Sequence, residues 1–185
     1  MKKNIFLILV LFTNISLSAQ IIGINLKESI IFWNGKKVTG AHEGSINFKE
    51  GFFIYENDKI VGGDFIVDMT SLVNTDLTGN DKLVLEKNLK SFNFFNTENF
   101  KTSQLVFKSI INKGRNLYKV TANLTIKGVT NTINFDLKLN KKGATAKLKI
   151  DRTKYGIQYG SGTFIDDIGD WTLYEEFDLN IDIKI

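Results

Sequence analysis

The sequence predicts an all-β protein: a single closed antiparallel β-barrel of about eight strands. Apolar and polar residues alternate in segment after segment of the 185-residue chain, and alternation at period two places one set of side chains on each face of an extended strand. Short turns join most of these segments without helical crossovers, so neighbouring strands run up and down. Such a sheet removes its exposed edges by closing on itself.

Residues 1–19 are predicted to be a signal peptide and residues 20–185 a single barrel domain. Lys2 and Lys3 precede an unbroken apolar run over residues 5–12, and a small polar stretch over residues 16–19 follows. This order is typical of export signals. The run is shorter than the roughly 20 apolar residues that cross a bilayer. We therefore expect a periplasmic protein without stable membrane insertion.

The alternating segments follow one another along the chain with one interruption. Residues 80–90 mix leucines with charged residues as a short helix does, with Asn80 or Asp81 as its N-cap. Residues 91–100 form a loop with four phenylalanines, which we expect to fold over one end of the sheet because exposed rings favour burial. The predicted strands are residues 29–36, 43–56, 60–71, 104–111, 117–126, 133–139, 144–150 and 175–185, with a glycine-rich connection over residues 151–170.

Residues 118–139 show the pattern most clearly and predict a long β-hairpin. Apolar side chains alternate with polar ones from Tyr118 to Ile126 and again from Ile133 to Leu139. Gly128 lies between the two arms, where a tight reversal needs a permissive backbone. The pattern leaves three environments open for the apolar face. It lines a barrel interior, packs a solid sandwich core, or faces lipid around a narrow, charged outer-membrane barrel.

Composition excludes several kinds of site. The chain has no cysteine, which excludes disulfides, thiolate metal sites and a cysteine nucleophile, and its one histidine, His42, cannot supply the several imidazoles of a zinc or iron site. Without Lys2 and Lys3, 22 basic residues face 20 acidic ones, a net charge of +2 that is too small for nucleic-acid binding. We expect no metal, no cofactor and no nucleic-acid partner.

Five blocks of sequence, in order along the chain, resemble the YceI-like family of secreted bacterial proteins. The motif LTIKGVT at residues 124–130 is similar to the family's hallmark. The other blocks are WNGKKV at 33–38 with HEG at 42–44, GGDFIVDMTS at 62–71 with TDL at 75–77, LKS at 89–91 with Phe94 and Phe95, and IDRTKYGIQYGSG at 150–162. The resemblance implies a lipocalin-like barrel that holds a long isoprenoid chain.

The resemblance and the alternation together predict a secreted binding protein, not an enzyme. It would hold a polyisoprenoid, quinone or related lipid inside the barrel, as carrier or store, and whether it forms a homodimer stays open. Arg152 and Tyr155, near the end of a strand, are candidate contacts for a polar headgroup. The candidate lining residues are Trp33, Phe65, Val67, Met69, Phe94, Phe95, Phe107, Leu124, Ile126, Phe135, Leu137 and Phe177.

Two alternatives remain open at the level of sequence. Acidic residues cluster around Trp171 from Asp166 to Glu176, and a secreted carbohydrate-active enzyme could use two such carboxylates as acid and nucleophile. Alternatively, the domain binds nothing and has a solid core, as a structural or stress-associated protein. Recovery of bound lipid would distinguish the lipid-binding hypothesis from both of these alternatives.

Overall fold

The computed structural model describes residues 19–162 and 172–185. Most of the predicted signal peptide therefore lies outside the described residues, as do Asp166, Asp167, Asp170 and Trp171 of the acidic cluster. The elements are β1 (Gln20–Gly23), β2 (Ile30–Lys37), β3 (Gly40–Glu56), β4 (Lys59–Asn74), α1 (Gly79–Lys90), β5 (Thr102–Gly114), β6 (Leu117–Ile126), β7 (Val129–Asn140), β8 (Gly143–Asp151), a 3₁₀ helix (Arg152–Tyr155) and β9 (Leu173–Lys184).

Eight strands close into an antiparallel barrel, as the alternation predicts. Each strand from β2 to β9 pairs with the next, and β9 returns to β2 with Ile181 opposite Ile31. The short β1 is an addition that the sequence reading missed. It extends the sheet beside β3, with Ile22 opposite Phe53. Four mostly exposed residues are too few to show a period, so nothing in the pattern marked β1 as a strand.

The hairpin of β6 and β7 has the predicted two faces. Every second residue of β6 from Tyr118 to Ile126 is buried. The reversal uses two residues with positive φ, Lys127 at 49° and Gly128 at 75°, as a two-residue hairpin turn requires. A Cβ atom on Gly128 would lie 3.2 Å from the ring of Phe100, so the aromatic loop packs against this turn.

A break in the pairing of β4 turns additional side chains inward. Asn47 of β3 pairs with Asp68, but Ser45 pairs with Val73, so β4 has extra residues between these two pairs. The Ser71 hydroxyl donates to the Asp68 carbonyl at 2.6 Å and accepts from the Asn47 N–H at 2.9 Å. These bonds replace the missing ladder bonds, and the irregular path buries both Met69 and Leu72, three residues apart.

The short helix is present, but its predicted N-cap is wrong. The N-cap position belongs to Thr78, which makes no side-chain cap bond, and Asp81 lies in the first turn, where a negative charge is favourable. The aromatic loop continues from the helix end, since Phe95 N–H donates to Leu89 O at 3.0 Å and Asn96 N–H to Ser91 O at 2.8 Å. No helix in the described part of the chain is long and apolar enough to cross a membrane.

Candidate functional site

A cavity of about 470 Å³ lies inside the barrel at the end where α1 and the aromatic loop pack. Its walls are mostly apolar, with polar groups from Lys36, His42, Ser103, Arg152 and Glu176 also bordering it. The volume falls within the roughly 300–1,000 Å³ of typical ligand pockets. The apolar side chains that border the cavity are Ile31, Trp33, Ile46, Val67, Met69, Leu72, Leu85, Leu89, Phe94, Phe95, Leu124, Ile126, Leu173, Phe177 and Leu179.

Five phenylalanines fill the barrel elsewhere and form what we call the aromatic plug: Phe48, Phe53, Phe65, Phe107 and Phe135. The ring centroids of Phe53 and Phe65 are 5.0 Å apart, those of Phe65 and Phe107 5.6 Å, and those of Phe107 and Phe135 6.0 Å. These are favourable tilted or edge-to-face contacts. The interior is therefore divided into a packed part and an open part.

The structure brings together eight of the twelve predicted lining residues. Phe65, Phe107 and Phe135 belong to the aromatic plug instead, and Leu137 is buried opposite Tyr118, away from the cavity. Alternation along a strand predicts which face a side chain occupies but not its height in the barrel. The role of each residue in holding a ligand stays a prediction. Those bordering the cavity are Trp33, Val67, Met69, Phe94, Phe95, Leu124, Ile126 and Phe177.

Several cavity residues were missed by the sequence reading. Leu85 and Leu89 lie four positions apart on α1, a spacing that places both on one face of a helix, and this signal was available. Ile46 and Leu179 belong to alternating strands and could have been found in the same way. Leu72 could not, because the pairing break in β4 alone turns it inward.

Aromatic rings form the wall of the cavity beneath the loop. The rings of Phe94 and Phe95 meet edge to face with centroids 5.1 Å apart, and Phe95 contacts Phe177 at 6.3 Å. Trp33 closes another side, where its indole N–H donates to Val73 O at 3.2 Å. A Cβ atom on Gly44 would lie 2.5 Å from the Trp33 ring, so only glycine allows the indole to lie there.

Arg152 is buried at the cavity wall and donates hydrogen bonds to main-chain carbonyls. Nη1 donates to Ile157 O and to Tyr159 O at 2.8 Å each, Nε donates to Tyr174 O at 3.1 Å, and Nη2 donates to Leu173 O at 3.1 Å. Burial lowers the pKa of the guanidinium, which the charges of Glu175 and Asp151 oppose.

The Arg152 guanidinium carbon also lies 5.7 Å from the centre of the Phe94 ring, within the range of a cation–π contact. Arg152 therefore joins the 3₁₀ helix to the start of β9 and supports the aromatic wall. Tyr155, the other candidate headgroup contact, is 2% exposed and does not border the cavity. Burial raises the pKa of its hydroxyl.

A polar network lies beside the cavity where β3 meets the connection from β4 to α1. His42 Nδ1 is 2.8 Å from Asp76 Oδ2, and Asp76 Oδ1 accepts from the Glu43 N–H at 3.0 Å and from the Asn74 side chain. Burial would raise the pKa of Asp76, but these hydrogen bonds outweigh it and hold the pKa below its ordinary value. The single histidine thus orders a connection.

Of the acidic cluster, the structure describes Glu175 and Glu176. Glu175 Oε1 accepts from the Ser161 hydroxyl at 2.8 Å, and Glu176 Oε2 lies 3.4 Å from Lys149 Nζ. Lys149 also lies 3.3 Å from Asp178. Its pKa is raised by the hydrogen bonds to Asp178 and Glu176. Both described glutamates are thus engaged with neighbouring side chains.

Solved structures share this fold. The protein BcnA of Burkholderia cenocepacia matches with a TM-score of 0.70 at 19% identity, covering 86% of this chain and 98% of its own. A polyisoprenoid-binding domain of Saccharophagus degradans, implicated in plant cell wall breakdown, matches with a TM-score of 0.57 at 13% identity, covering 91% and 97%. The YceI protein of Campylobacter jejuni matches with a TM-score of 0.53 at 13% identity, covering 99% and 94%.

At these identities the structural likeness establishes the fold. No curated protein matches the chain significantly. The family model described as the YceI-like domain matches residues 24–185, which includes every strand of the closed barrel. This match covers most of the chain and agrees with the five ordered sequence blocks. The chain therefore belongs to the YceI-like family.

Proposed function

We propose that this protein binds a long-chain apolar amphiphile, a polyisoprenoid or a related lipid such as a quinone, inside its barrel. The observation that carries the proposal is the apolar cavity of about 470 Å³ beside the aromatic plug. A core that had only to be stable would pack this space, since protein interiors are as dense as organic crystals. The cavity thus argues against the ligand-free alternative with a solid core.

The energetics of burial suit such a ligand. Each buried CH₂ group contributes roughly 0.8 kcal/mol, so a five-carbon isoprene unit contributes about 3–4 kcal/mol. Association and chain ordering cost about 4–15 kcal/mol, so the burial of a few units offsets them. An apolar wall suffices for this, and no catalytic group is required. The similar Saccharophagus degradans domain, described as polyisoprenoid-binding, supports the choice of ligand class.

The proposed role is that of an exported carrier or store. The export signal predicted over residues 1–19 is the basis for proposing a periplasmic location. A ligand of this kind is poorly soluble in water, so a barrel that shields it would let it move between membranes or be held in reserve. No specific observation favours the carbohydrate-active alternative, because Asp166, Asp167, Asp170 and Trp171 lie outside the described residues.

The proposal is tested by extracting the natively purified protein with organic solvent and identifying the extract by mass spectrometry. We expect a lipid with a long apolar chain, and the mass of the protein itself should show the loss of about nineteen N-terminal residues. Recovery of no lipid, together with no rebinding of a polyprenyl alcohol, would sink the proposal.

A variant makes the same test specific to the cavity. Val67 borders the cavity, and Val67→Trp would fill part of it with an indole ring. We expect the affinity for farnesol to fall about tenfold or more, because the ligand and the ring would compete for the same space. Val106→Trp, the same change at an exposed position of β5, should bind farnesol as the wild type does.

A further inference from the structure

Three large apolar side chains on α1 and directly after it are exposed. Leu83 and Val84 of α1 are 65% and 49% exposed, and Phe92, two residues after the helix, is 77% exposed. Phe92 stands out because the other phenylalanines of its loop are covered to a greater degree. We call this the α1 outer surface and define it as Leu83, Val84, Lys87, Lys90 and Phe92.

The helix has two apolar sides with different surroundings. Side chains advance by about 100° per residue, so Leu85 and Leu89, which border the cavity, point away from Leu83. Lys87 and Lys90 lie four and seven positions after Leu83 and share its side. Helix α1 therefore separates the cavity from the α1 outer surface, with one leucine pair facing in and another apolar pair facing out.

The charges around the α1 outer surface are mainly positive. Among ion pairs of the described residues, only that of Lys82 with Glu86, at 3.8 Å, involves α1, so no ion pair neutralises the charges of Lys87 and Lys90. Glu86 also accepts from the Asn74 N–H at 2.8 Å, which turns it toward the barrel. Lys127 adds a further positive charge, since its Nζ lies 3.5 Å from the Phe92 carbonyl.

We propose that the α1 outer surface docks the protein on an anionic lipid bilayer. Helices that lie in a membrane interface carry apolar side chains flanked by lysines, and each lysine near an anionic surface contributes about 1 kcal/mol. Lysine is depleted in protein–protein interfaces, so the combination of lysines with a protruding ring favours lipid over a protein partner.

Docking would place the cavity next to a source of its ligand. Because the inner side of α1 borders the cavity, a bilayer on the outer side would lie one helix diameter, about 10 Å, from the cavity. This step rests on the proposed function, whereas adhesion to the bilayer does not. Among the barrel strands, α1 packs mainly on β4, and none of its residues is fully buried.

Vesicle cosedimentation tests the docking. We expect the wild type to bind phosphatidylcholine vesicles that contain phosphatidylglycerol, and to bind less at high salt because exposed charges are screened. The double variant Leu83→Ser, Phe92→Ser should bind these vesicles at least about tenfold more weakly, because it lacks the apolar anchors. Lys87→Glu with Lys90→Glu should lower binding at least about fivefold per lysine.

The matched control lies at the far end of the barrel. Ile111 is 55% exposed, and its strand runs about 26 Å from Ser103 at the cavity to this position. Ile111→Ser with Lys113→Glu should bind vesicles as the wild type does. The substituted side chains are exposed, apart from the partly exposed Lys90, and circular dichroism verifies that each variant folds.

Two outcomes overturn the docking: a wild type that does not bind anionic vesicles, or a Leu83→Ser, Phe92→Ser variant that binds them equally well. If the double variant instead alters only self-association, the surface is a contact between copies and the proposal is wrong. Farnesol uptake without vesicles separates the two proposals. We expect it to persist in the double variant and to fall in Val67→Trp, which should still bind vesicles.

Discussion

Arg152 shows how a charged residue is used for structure at the edge of the cavity. A sequence reading finds a cation near a strand end and assigns it to a headgroup. In the structure the guanidinium is 2% exposed and donates to four main-chain carbonyls. The planar fork of arginine reaches several acceptors at once, which the single ammonium of lysine does not. The main role of Arg152 is therefore to hold the 3₁₀ helix and β9 together.

Replacement of Arg152 by lysine should therefore destabilise the protein by about 3 kcal/mol. Each carbonyl left buried without a donor costs about 1–3 kcal/mol, and lysine satisfies only some of them. The free energy of unfolding from urea titration measures the change. The chain's other arginine, Arg115, lies exposed in the turn between β5 and β6, and Arg115→Lys should stay within about 0.5 kcal/mol of the wild type. Equal effects of the two changes would contradict the structural role of Arg152.

At the scale of elements, the turn of the β6–β7 hairpin supports the aromatic loop. The motif LTIKGVT contains this turn, and its threonines stay near the surface, with the hydroxyls of Thr125 and Thr130 2.8 Å apart. Gly128 has the positive φ of the turn and faces Phe100. The motif thus connects a hairpin to the loop that borders the cavity.

Gly128→Ala should cost more stability than the same change at Gly114. Both glycines have positive φ, 75° and 83°, so alanine is strained by about 1–2 kcal/mol at either position. A Cβ atom at Gly114 meets nothing within 4 Å, whereas one at Gly128 presses on the Phe100 ring at 3.2 Å. We expect an additional cost of about 1 kcal/mol at Gly128, measured by urea unfolding. Identical losses at both sites would mean that the loop does not pack on the turn.

Sequence alone could predict the strands and the hairpin but not the height of each side chain in the barrel. The arms around Gly128 were found because period two and a glycine turn are local signals. The pairing break at Met69–Leu72 depends on hydrogen bonds between β3 and β4, so the inward position of Leu72 had no local signal. The same limit explains why Phe135 was placed in the lining although it packs in the aromatic plug.

At the scale of the whole molecule, closure of the sheet produces both halves of the interior. Large rings from β3, β4, β5 and β7 meet where they can interdigitate and form the aromatic plug. Gly63 makes room for them, since a Cβ atom there would lie 2.9 Å from the Phe65 ring and 3.1 Å from that of Phe107. Nearer α1 the inward side chains leave a gap. The aromatic plug thus stabilises one part of the barrel interior, and the cavity occupies the part nearer α1.

Three aspartates at separate places on the barrel hold it together through their charged forms. Burial would raise the pKa of Asp76 and of Asp151, but hydrogen bonds, for Asp151 those from Thr153, outweigh it and lower both pKa values. At Asp178 the hydrogen bond from Lys36, at 3.0 Å, lowers the pKa against the opposing effect of burial. All three carboxyl groups are therefore harder to protonate in the folded chain than in the unfolded one.

This linkage predicts that the protein loses stability in acid. A carboxyl with a lowered folded pKa contributes stability that is complete above its unfolded pKa, about 3.9, and that is lost as the pH falls toward the folded value. Asp76→Asn should lower the free energy of unfolding at pH 7, because it weakens the bonds to His42 and Glu43, yet it should reduce the loss between pH 7 and pH 3. Urea titrations at the two pH values measure both effects. Asp136→Asn, on the exposed outer side of β7, is the control. Its free energy of unfolding should fall between pH 7 and pH 3 by as much as that of the wild type. If Asp76→Asn shows the same loss in acid as the wild type, the charge on Asp76 does not stabilise the connection from β4 to α1.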